Sequence, residues 1–323
     1  MKSLLLLCIL SITFCHPPRL VEIAKKVNSL KTTWTANEKT PLRDFTQYTG
    51  TLLNHEPLPR KQVRVRNDLP SSFSSSEKWP ECPSILEIRD QSSCASCWAF
   101  GVAEVATDRL CISTKGEKKD RLSADDLLAC CDDCGFKCKG GYTGMAWEYL
   151  RLNGIVTGGE YGTTNWCKAY PFPQCEHGVE GQYPPCDKKP PADPECIEKC
   201  QDGYPIEYSK DRHIFSNVYQ LGTDVEEIKT EIFTNGPVDA TFQVFEDFLT
   251  YQSGVYHHVE GKNVSLHTVK IIGWGEENGE KYWLVVNSWN EDWGEKGLFK
   301  IRLGTNECGI ESQVEAGMPL IVC

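Results

Sequence analysis

The chain has 323 residues, which is long enough for two compact lobes and a removable segment. It carries 34 Lys and Arg against 45 Asp and Glu, so the formal net charge is -11, and no long basic run is present. This balance argues against nucleic acid or an anionic membrane as a partner.

The N-terminus has the pattern of a secretory signal. Met1 and Lys2 precede an apolar run from Leu4 to Phe14 that is too short to cross a bilayer. We interpret residues 1–16 as a signal peptide. The protein is then expected in the secretory pathway, either in a lysosome or in an extracellular space such as a digestive lumen. No other apolar run is long enough for a membrane helix.

Two helices are predicted in the first third of the chain. One rests on apolar residues at helical spacing, namely Leu20, Ile23, Val27, Leu30 and Trp34. The other spans residues 96–112, with Ser93 or Ser96 available as an N-cap, and it places Cys97 in the first turn. The positive end of this helix dipole favours a thiolate at Cys97.

The middle of the chain, from about 113 to 205, is rich in Gly, Pro and Cys and is predicted to consist mainly of loops. From about 212 onward, β-branched and aromatic residues predict strands, at Val269–Gly273, Tyr282–Asn287 and Leu298–Ile301. A helical lobe that carries Cys97 is therefore expected to face a sheet-rich lobe across a cleft.

Seventeen cysteines in a chain with a secretory signal indicate disulfides. Removal of the signal takes away Cys8 and Cys15 and leaves an odd number. At least one thiol must then stay free, and the sequence alone does not fix the pairing of the others.

Four residues have the chemistry of a thiol protease: Gln91, Cys97, His267 and Asn287. A thiol is a poor nucleophile until an imidazole takes its proton. An amide oxygen on the far ring nitrogen orients that imidazole. The side-chain N–H of Gln91 and the backbone N–H of Cys97 can stabilise a developing oxyanion.

The spacing of Cys94 and Cys97 is also compatible with a redox pair or with half of a zinc site. A redox pair would lie in a thioredoxin-like unit, which has far fewer cysteines than this chain. A zinc site needs a second pair of ligands. Four cysteines offer one by spacing: Cys130, Cys131, Cys134 and Cys138. The spacing of the cysteines alone therefore does not exclude a zinc site.

From about residue 27 to residue 319, the chain resembles papain-fold cysteine proteases and, within that family, the cathepsin B-like enzymes. The resemblance rests on the four residues above with their neighbours, and on the segments 83–90, 98–101, 122–128, 140–142 and 308–312. A cysteine-bounded insert from Cys175 to Cys186 resembles the loop that distinguishes cathepsin B from its relatives.

This resemblance implies an α+β, papain-like two-lobe fold, with a helical left lobe, a β-rich right lobe and the active-site cleft between them. It also implies an N-terminal propeptide that passes through the cleft to a cleavable basic stretch, Arg60-Lys61 and Arg64–Arg66. The implied segments are a propeptide at 17–68, mostly the left lobe at 69–205 with an occluding-type loop at 175–186, and mostly the right lobe at 206–323.

The resemblance implies a cysteine-type peptidase that cleaves peptide or protein substrates without a metal or another cofactor. Cys97, His267, Asn287 and Gln91 would be its catalytic residues, and Trp289 would shield the His267–Asn287 hydrogen bond from water. The residues implied to contact substrate are Gly140, Gly141, Trp289, His177 and Gln313. Cystatin-type proteins are candidate inhibitors.

Six disulfides are implied by the same resemblance. They are Cys82–Cys111, Cys94–Cys138, Cys130–Cys196, Cys131–Cys134, Cys167–Cys200 and Cys175–Cys186. Cys97, Cys308 and Cys323 remain outside these pairs, and the chemistry requires that Cys97 be free.

Several residues depart from the family pattern close to the expected cleft. Ser92 and Ala95 stand where glycine is usual, and a methyl group at Ala95 lies near the S1 wall, where it can lower the rate. Ser265 and Leu266 replace a pair of glycines before the histidine. Gln313 replaces a glutamate at the base of the S2 pocket, so a preference for arginine at P2 should weaken.

The occluding-type loop departs as well. Cathepsin B has two adjacent histidines there, which hold the terminal carboxylate of a substrate, whereas here His177 is followed by Gly178. Tyr183 replaces an arginine that would latch onto Asp292, and Asp90 is a candidate partner for His177. We expect weaker carboxydipeptidase action, although neutral change in a solvated loop explains these differences equally well.

Two functions are compatible with these features. The first is an active cathepsin B-like peptidase that is made as a zymogen, and the second is a weak or inactive relative that binds peptides. The complete set of four catalytic residues favours the first, whereas Ala95, Leu266 and Gly178 keep the second open. A glycosylation sequon begins at Asn263, only a few residues before His267, where a glycan could crowd the cleft.

Overall fold

In a computed structural model of the chain, the described residues are 19–40, 48–53 and 56–321. The predicted signal peptide at 1–16 and Cys323 lie outside these ranges. No helix in the described part of the chain is both long and apolar enough to cross a membrane.

The described residues form six α-helices, nine strands and several short 3-10 helices. The helices are α1 (Arg19–Ser29), α2 (Ser75–Lys78), α3 (Cys97–Ser113), α4 (Ala124–Cys130), α5 (Thr143–Leu152) and α6 (Val225–Asn235). The strands are β1 (Trp34–Ala36), β2 (Phe73–Ser74), β3 (Phe215–Gln220), β4 (Val238–Phe245), β5 (Tyr251–Tyr256), β6 (Asn263–Glu277), β7 (Glu280–Val286), β8 (Leu298–Arg302) and β9 (Gln313–Pro319).

The strands follow the order β1-β5-β8-β7-β6-β4-β9-β3, and β2 pairs with β6. Neighbouring strands are antiparallel, except that β5 and β8 run parallel. The 15-residue β6 lies between β4 and β7 and carries His267. Two flanking strands therefore fix the backbone that presents this histidine.

Helix α3 lies at the boundary between the helical and the β-rich parts of the molecule. It is buried from Cys97 to Cys111, and this buried stretch includes the charged residues Glu104, Asp108 and Arg109 as well as apolar ones. One side contacts α4 and α5, and the other contacts β6 and β9. Separate apolar cores lie among the strands and around α3 to α5. The predicted two-lobe α+β fold is thereby confirmed.

The predicted helix at the nucleophile exists, but the predicted side-chain cap is wrong. Ser96 is the N-cap residue, yet its hydroxyl makes no capping hydrogen bond and lies 2.9 Å from the hydroxyl of Tyr170. The hydroxyl of Ser93 accepts a hydrogen bond from the backbone N–H of Asp187 at 2.9 Å. Tertiary contacts therefore use both hydroxyls.

The N-terminal helix is shorter than its apolar spacing predicts. It ends at Ser29, Leu30 is 55% exposed, and Trp34 belongs to β1. Trp34 pairs with Gly254 of β5 and stacks on Tyr251 at 6.1 Å between ring centroids. A distant strand thus decides the conformation of Trp34 rather than its spacing from α1.

Helix α6 was not predicted within the region assigned to strands. Its N-cap is Asp224, whose carboxylate accepts hydrogen bonds from the backbone N–H groups of Glu226 and Glu227. Asp224 with Glu226 and Glu227 in the next three positions is a sequence signal for a helix start, and the prediction of strands from about residue 212 did not take it into account.

Six disulfides join the same pairs that the resemblance implies. Cys97 and Cys308 are the free cysteines among the described residues. The four cysteines that could have supplied a second zinc ligand pair all lie in disulfides, as does Cys94. The zinc alternative therefore loses its ligands.

A buried charge cluster joins the two lobes. Lys270 of β6 lies with Nζ 3.0 Å from Oδ2 of Asp108 and 3.8 Å from Oε2 of Glu104, both on α3. The positive charges of Lys270 and Arg89 do not fully compensate the burial of two carboxylates. Burial raises the pKa of Glu104 to about 7, in spite of the opposing charge of Lys270.

This cluster predicts a fold that is more stable in acid. Because the pKa of Glu104 rises on folding from 4.5 to about 7, its stabilising contribution is complete below pH 4.5 and is lost as the pH rises towards 7. Glu104→Gln keeps a neutral side chain of similar shape, so the melting temperature should fall less steeply over this range. Glu207→Gln, at a side chain that is 71% exposed, is the control. An unchanged slope in Glu104→Gln would contradict the assignment.

Candidate active site

Cys97 is the first residue of α3, and its side chain is fully buried. The turn before it is held by the Cys94–Cys138 disulfide. The side-chain amide of Gln91 also donates to the backbone carbonyl of Cys94 at 2.8 Å. The thiol therefore starts a helix whose preceding backbone is fixed on two sides.

The imidazole of His267 and the amide of Asn287 come from neighbouring strands. His267 lies on β6, and Asn287 follows the last residue of β7. Nε2 of His267 is 2.8 Å from Oδ1 of Asn287, and the same oxygen accepts the backbone N–H of Ser288 at 2.9 Å. The ring of Trp289 lies 4.8 Å from the histidine ring and is almost fully buried. Because Nε2 is engaged, Nδ1 is the nitrogen left for a thiol.

The thiol of Cys97 has an unusual acidity for a buried group. Burial by itself raises the pKa of Cys97. The charge of His267, together with the contact of the Thr51 hydroxyl at 3.3 Å, outweighs this effect and lowers the pKa from 9.0 to about 7. The N-terminus of α3 favours the same charge. A thiolate–imidazolium pair is therefore accessible near neutral pH.

Gln91 lies where it can donate to a carbonyl oxygen. Its Nε2 lies 3.2 Å from the backbone oxygen of Tyr48, and its Oε1 accepts the hydroxyl of Ser288 at 2.7 Å. The indole N–H of Trp289 donates to the same Tyr48 oxygen at 3.3 Å. The sequence predicts that the Gln91 side-chain N–H stabilises an oxyanion. In the structure this N–H donates to the peptide carbonyl of Tyr48.

A segment of the same chain, residues 48–53, lies in the cleft; we call it the blocking segment. The backbone N–H of Gly141 donates to Gly50 O at 2.9 Å, and Leu52 N–H donates to Gly141 O at 2.8 Å. On the other wall, the backbone oxygen of Leu266 accepts hydrogen bonds from the N–H groups of Gly50 and Thr51, both at 3.1 Å. The predicted pairing of a peptide backbone with Gly141 is therefore seen here with the chain's own residues.

Thr51 lies over the nucleophile. Its hydroxyl is 3.3 Å from the sulfur of Cys97 and 2.7 Å from the hydroxyl of Thr268. Thr51 is itself 2% exposed. The blocking segment therefore covers the thiol and excludes a substrate from it.

Two small residues let the blocking segment approach the left lobe. A Cβ atom on Gly50 would lie 2.6 Å from both Cβ and the backbone oxygen of Ala95. A Cβ atom on Gly140, whose φ is +116°, would lie 2.5 Å from Gly50 O. The methyl group of Ala95, a departure from the family pattern, thus faces the one position of the segment that has no side chain.

The occluding-type loop is held against the site by His177. Its Nε2 is 2.9 Å from Oδ1 of Asp90, and both side chains are fully buried. The ring also stacks on Trp289, with 6.0 Å between centroids, and meets the edge of Tyr48. The predicted His177–Asp90 pair is therefore present in the structure.

A pair of carboxyl groups stands where the family has an arginine–aspartate latch. Asp292 accepts the backbone N–H of Gln182 at 3.0 Å, and Glu176 accepts that of Tyr183 at 2.7 Å. A Cβ atom on Gly181 would collide with both carboxyl groups, which shows how closely they approach. Burial raises the pKa of Glu176 to about 6, and Asp292 adds to the rise.

Gln313 lies at the first position of β9, and its Nε2 donates to the hydroxyl of Thr143 at 2.9 Å. Thr143 begins α5, two residues after Gly141. The structure thus places Gln313 beside the wall that pairs with the blocking segment.

Sequence reasoning missed three contributors to the site. Nothing in the local pattern singled out Thr51, which covers the thiol, or Thr268, which follows the histidine. The role of Glu176 was also missed, because its partner Asp292 lies on a distant loop. A single threonine or glutamate belongs to no recognisable sequence motif. The contacts of these three residues therefore became visible only in the folded structure.

Comparisons with known proteins agree with this geometry. The profile described as papain family cysteine protease matches residues 69–318. A cathepsin B-like cysteine proteinase of Schistosoma japonicum is 51% identical over 251 residues, which cover 78% of this chain and 73% of that protein. Cathepsin B-like cysteine proteinase 5 of Caenorhabditis elegans is 43% identical over 303 residues, which cover 91% and 88%.

Solved structures extend the likeness to precursors. Procathepsin B S9 from Trypanosoma congolense has a TM-score of 0.80 and 36% identity, with 93% of this chain and 98% of that chain covered. Digestive procathepsin L2 of Tenebrio molitor has the same fold, with a TM-score of 0.66, 24% identity, and 92% and 88% covered. The chain therefore belongs to the papain family of cysteine proteases and, within it, to the cathepsin B-like peptidases.

Proposed function

We propose that this peptidase hydrolyses peptide bonds through Cys97, His267, Asn287 and Gln91. The Cys97 thiolate attacks the scissile carbonyl carbon, and the oxyanion accepts N–H groups from the Gln91 side chain and the Cys97 backbone. The imidazolium of His267 protonates the leaving amine as the C–N bond breaks. Water, deprotonated by the same imidazole, then hydrolyses the thioester and restores the thiol.

The acidity of the buried thiol carries this proposal. His267 lowers the pKa of Cys97 to about 7 although the side chain is fully buried. The other free thiol shows the opposite behaviour, since burial and the carboxylate of Glu307 raise the pKa of Cys308. The comparisons give no support to the alternative of an inactive peptide-binding relative.

The nucleophile is tested by a matched pair of cysteine variants. Cys97→Ala should lower peptidase activity by more than about 1000-fold, because the covalent step disappears, and circular dichroism should show an intact fold. Cys308→Ala removes the other free thiol and should leave kcat/KM within about twofold. Wild-type activity in Cys97→Ala would refute the assignment.

We further propose that residues 17–68 are a propeptide and that the mature enzyme begins at Leu69. The blocking segment covers Cys97, and the family profile begins at residue 69. Lys61 is tied down by its backbone N–H to Gln220 O at 2.9 Å and by its ammonium group to Glu231 at 2.8 Å. Residues 64–68 are all exposed. The first cut is therefore expected in the exposed residues 64–68, just ahead of the proposed start at Leu69, rather than at Arg60-Lys61.

If the blocking segment keeps substrates from Cys97, a substitution that prevents its close approach at Gly50 should raise the peptidase activity of the uncleaved chain. Gly50→Ala places a methyl group against Ala95, so the segment should dock less tightly. The uncleaved chain should then hydrolyse a small fluorogenic peptide at least several-fold faster than the wild-type precursor. Leu53→Ala, at a side chain that is 64% exposed, is the control. Equal activity of both uncleaved chains would contradict the proposal, and gel analysis must show that neither is processed.

Reduced carboxydipeptidase action remains part of this proposal. One imidazole at His177 can hold a terminal carboxylate with fewer charge-assisted hydrogen bonds than two could, and each is worth on the order of 1.5–3 kcal/mol. Restoring a second histidine at Gly178 is a poor test, because its φ of +78° disfavours any side chain there. The carboxyl pair offers a better one.

The carboxyl pair predicts a loop that opens as the pH rises through about 6. Below this pH, protonated Glu176 can donate to Asp292; above it, two carboxylates repel each other, with Asp90 adding to the repulsion. The ratio of dipeptide release to internal cleavage, measured from pH 4.5 to 7.5, should therefore fall through this range. Asp292→Asn should reduce the fall, whereas Glu180→Gln, at an exposed residue of the same loop, should not. Identical profiles for all three proteins would refute the latch.

The remaining parts of the proposal concern location, partners and specificity. Six disulfides favour the secretory pathway, with a lysosomal or extracellular destination. Asn263 is exposed at the start of β6 and is available for glycosylation. Cystatin-type inhibitors would occupy the cleft that the blocking segment fills. The amide of Gln313 offers no charge to a P2 arginine, so such substrates should be disfavoured.

A further inference from the structure

Gln313 and three threonines form one polar wall, in which each member contacts or pairs with the next. Thr241 of β4 is paired directly opposite Gln313 of β9 and opposite Thr268 of β6. The hydroxyls of Thr241 and Thr268 lie 3.0 Å apart, and Thr143 accepts the amide of Gln313 at 2.9 Å. We call these four residues the polar wall; its threonines are at most 3% exposed.

The polar wall lies within reach of a residue bound in the cleft. Thr51 of the blocking segment places its hydroxyl 2.7 Å from that of Thr268 and 3.3 Å from the sulfur of Cys97. The residues on either side of Thr51 form the two backbone hydrogen bonds to Gly141. A substrate residue paired with Gly141 in the same way would therefore direct its side chain at Thr268, the member of the wall next to Cys97.

The side chains of the polar wall carry no charge, and all of them can form hydrogen bonds. Each hydroxyl can donate once and accept twice, so the mutual hydrogen bond between Thr241 and Thr268 leaves capacity for a ligand. In the precursor, the hydroxyl of Thr51 uses that capacity. An apolar side chain would exclude water from these hydroxyls without replacing its hydrogen bonds, which is unfavourable in a buried site.

We propose that the polar wall makes the S2 pocket selective for an uncharged hydrogen-bonding side chain, such as threonine, over an apolar side chain of the same shape. This inference rests on the proposed peptidase function and deepens it by naming the substrate class. The blocking segment satisfies the same rule, because the residue that it presents to the wall is a threonine. Thr241 and Thr268 are then specificity-determining residues.

Two fluorogenic substrates that differ only in threonine or valine at P2 test this proposal on the processed enzyme. The two side chains are nearly isosteric, so their kcat/KM ratio reports the hydrogen bond. We expect a threonine preference on the order of tenfold, the factor that corresponds to about 1.4 kcal/mol. Thr268→Val and, independently, Thr241→Val should bring the ratio close to one. A valine preference in the wild type would overturn the proposal, and so would an unchanged ratio in both variants.

The control is Thr114→Val, just after the far end of α3, where the hydroxyl bonds to the backbone of its own helix. It should keep the wild-type ratio. An enzyme that cleaves neither substrate, nor a generic protein substrate, would refute the peptidase function itself. An enzyme that cleaves both substrates equally well would refute only the inference about the polar wall.

Discussion

The site depends on a thiol and an imidazole that come from different lobes and must meet where water is excluded. Cys97 begins α3, and His267 lies in the middle of β6. The same helix and strand meet a second time further along, where Lys270 contacts Asp108 and Glu104. Two contacts between one helix and one strand restrict their relative movement. The lobe interface therefore holds the thiol and the imidazole in a fixed relative position, although they come from different lobes.

Acidity favours several parts of this arrangement together. Burial raises the pKa of Glu104 at the lobe interface and that of Glu176 in the occluding-type loop. Each carboxyl group also lies near another one, so protonation relieves repulsion at both places. A lower pH should thus tighten the lobe interface and close the loop. Acidity acts against the thiol, however: with a pKa of about 7, the fraction of Cys97 present as thiolate falls as the pH drops below 7.

The blocking segment uses the contacts that we propose for a substrate. Its backbone hydrogen-bonds to Gly141 on one wall and to Leu266 on the other, and Gln91 donates to one of its carbonyl oxygens. Leu266 contributes only its backbone oxygen to this pairing, so the contact does not depend on which side chain stands at this position. Ala95 is accommodated by Gly50 in the segment. If the proposed roles hold, docking of the blocking segment and substrate binding therefore constrain the same few positions.

The sequence was sufficient where a residue type and its immediate neighbours determine the chemistry. The four proposed catalytic residues and the boundaries near α3 were accessible in this way. Contacts between distant parts of the chain were not. Trp34 forms a strand because β5 lies beside it, and Ser96 fails to cap its helix because Tyr170 takes the hydroxyl. The missing latch arginine was visible in the sequence, but its replacement by a carboxyl pair required the loop and Asp292 to be brought together.

The central claim is that His267 makes the buried Cys97 thiol acidic, and the pH dependence of alkylation tests it most directly. Iodoacetamide labelling of Cys97 in the processed enzyme, followed by peptide mapping, should show an apparent pKa well below the ordinary value of 9.0, because the charge of His267 remains when the blocking segment is removed. In His267→Ala the lowering charge is absent, so the apparent pKa should move above 9 and labelling at pH 7 should slow by at least about tenfold. A wild-type profile with a midpoint near 9, or one unchanged by His267→Ala, would contradict the account.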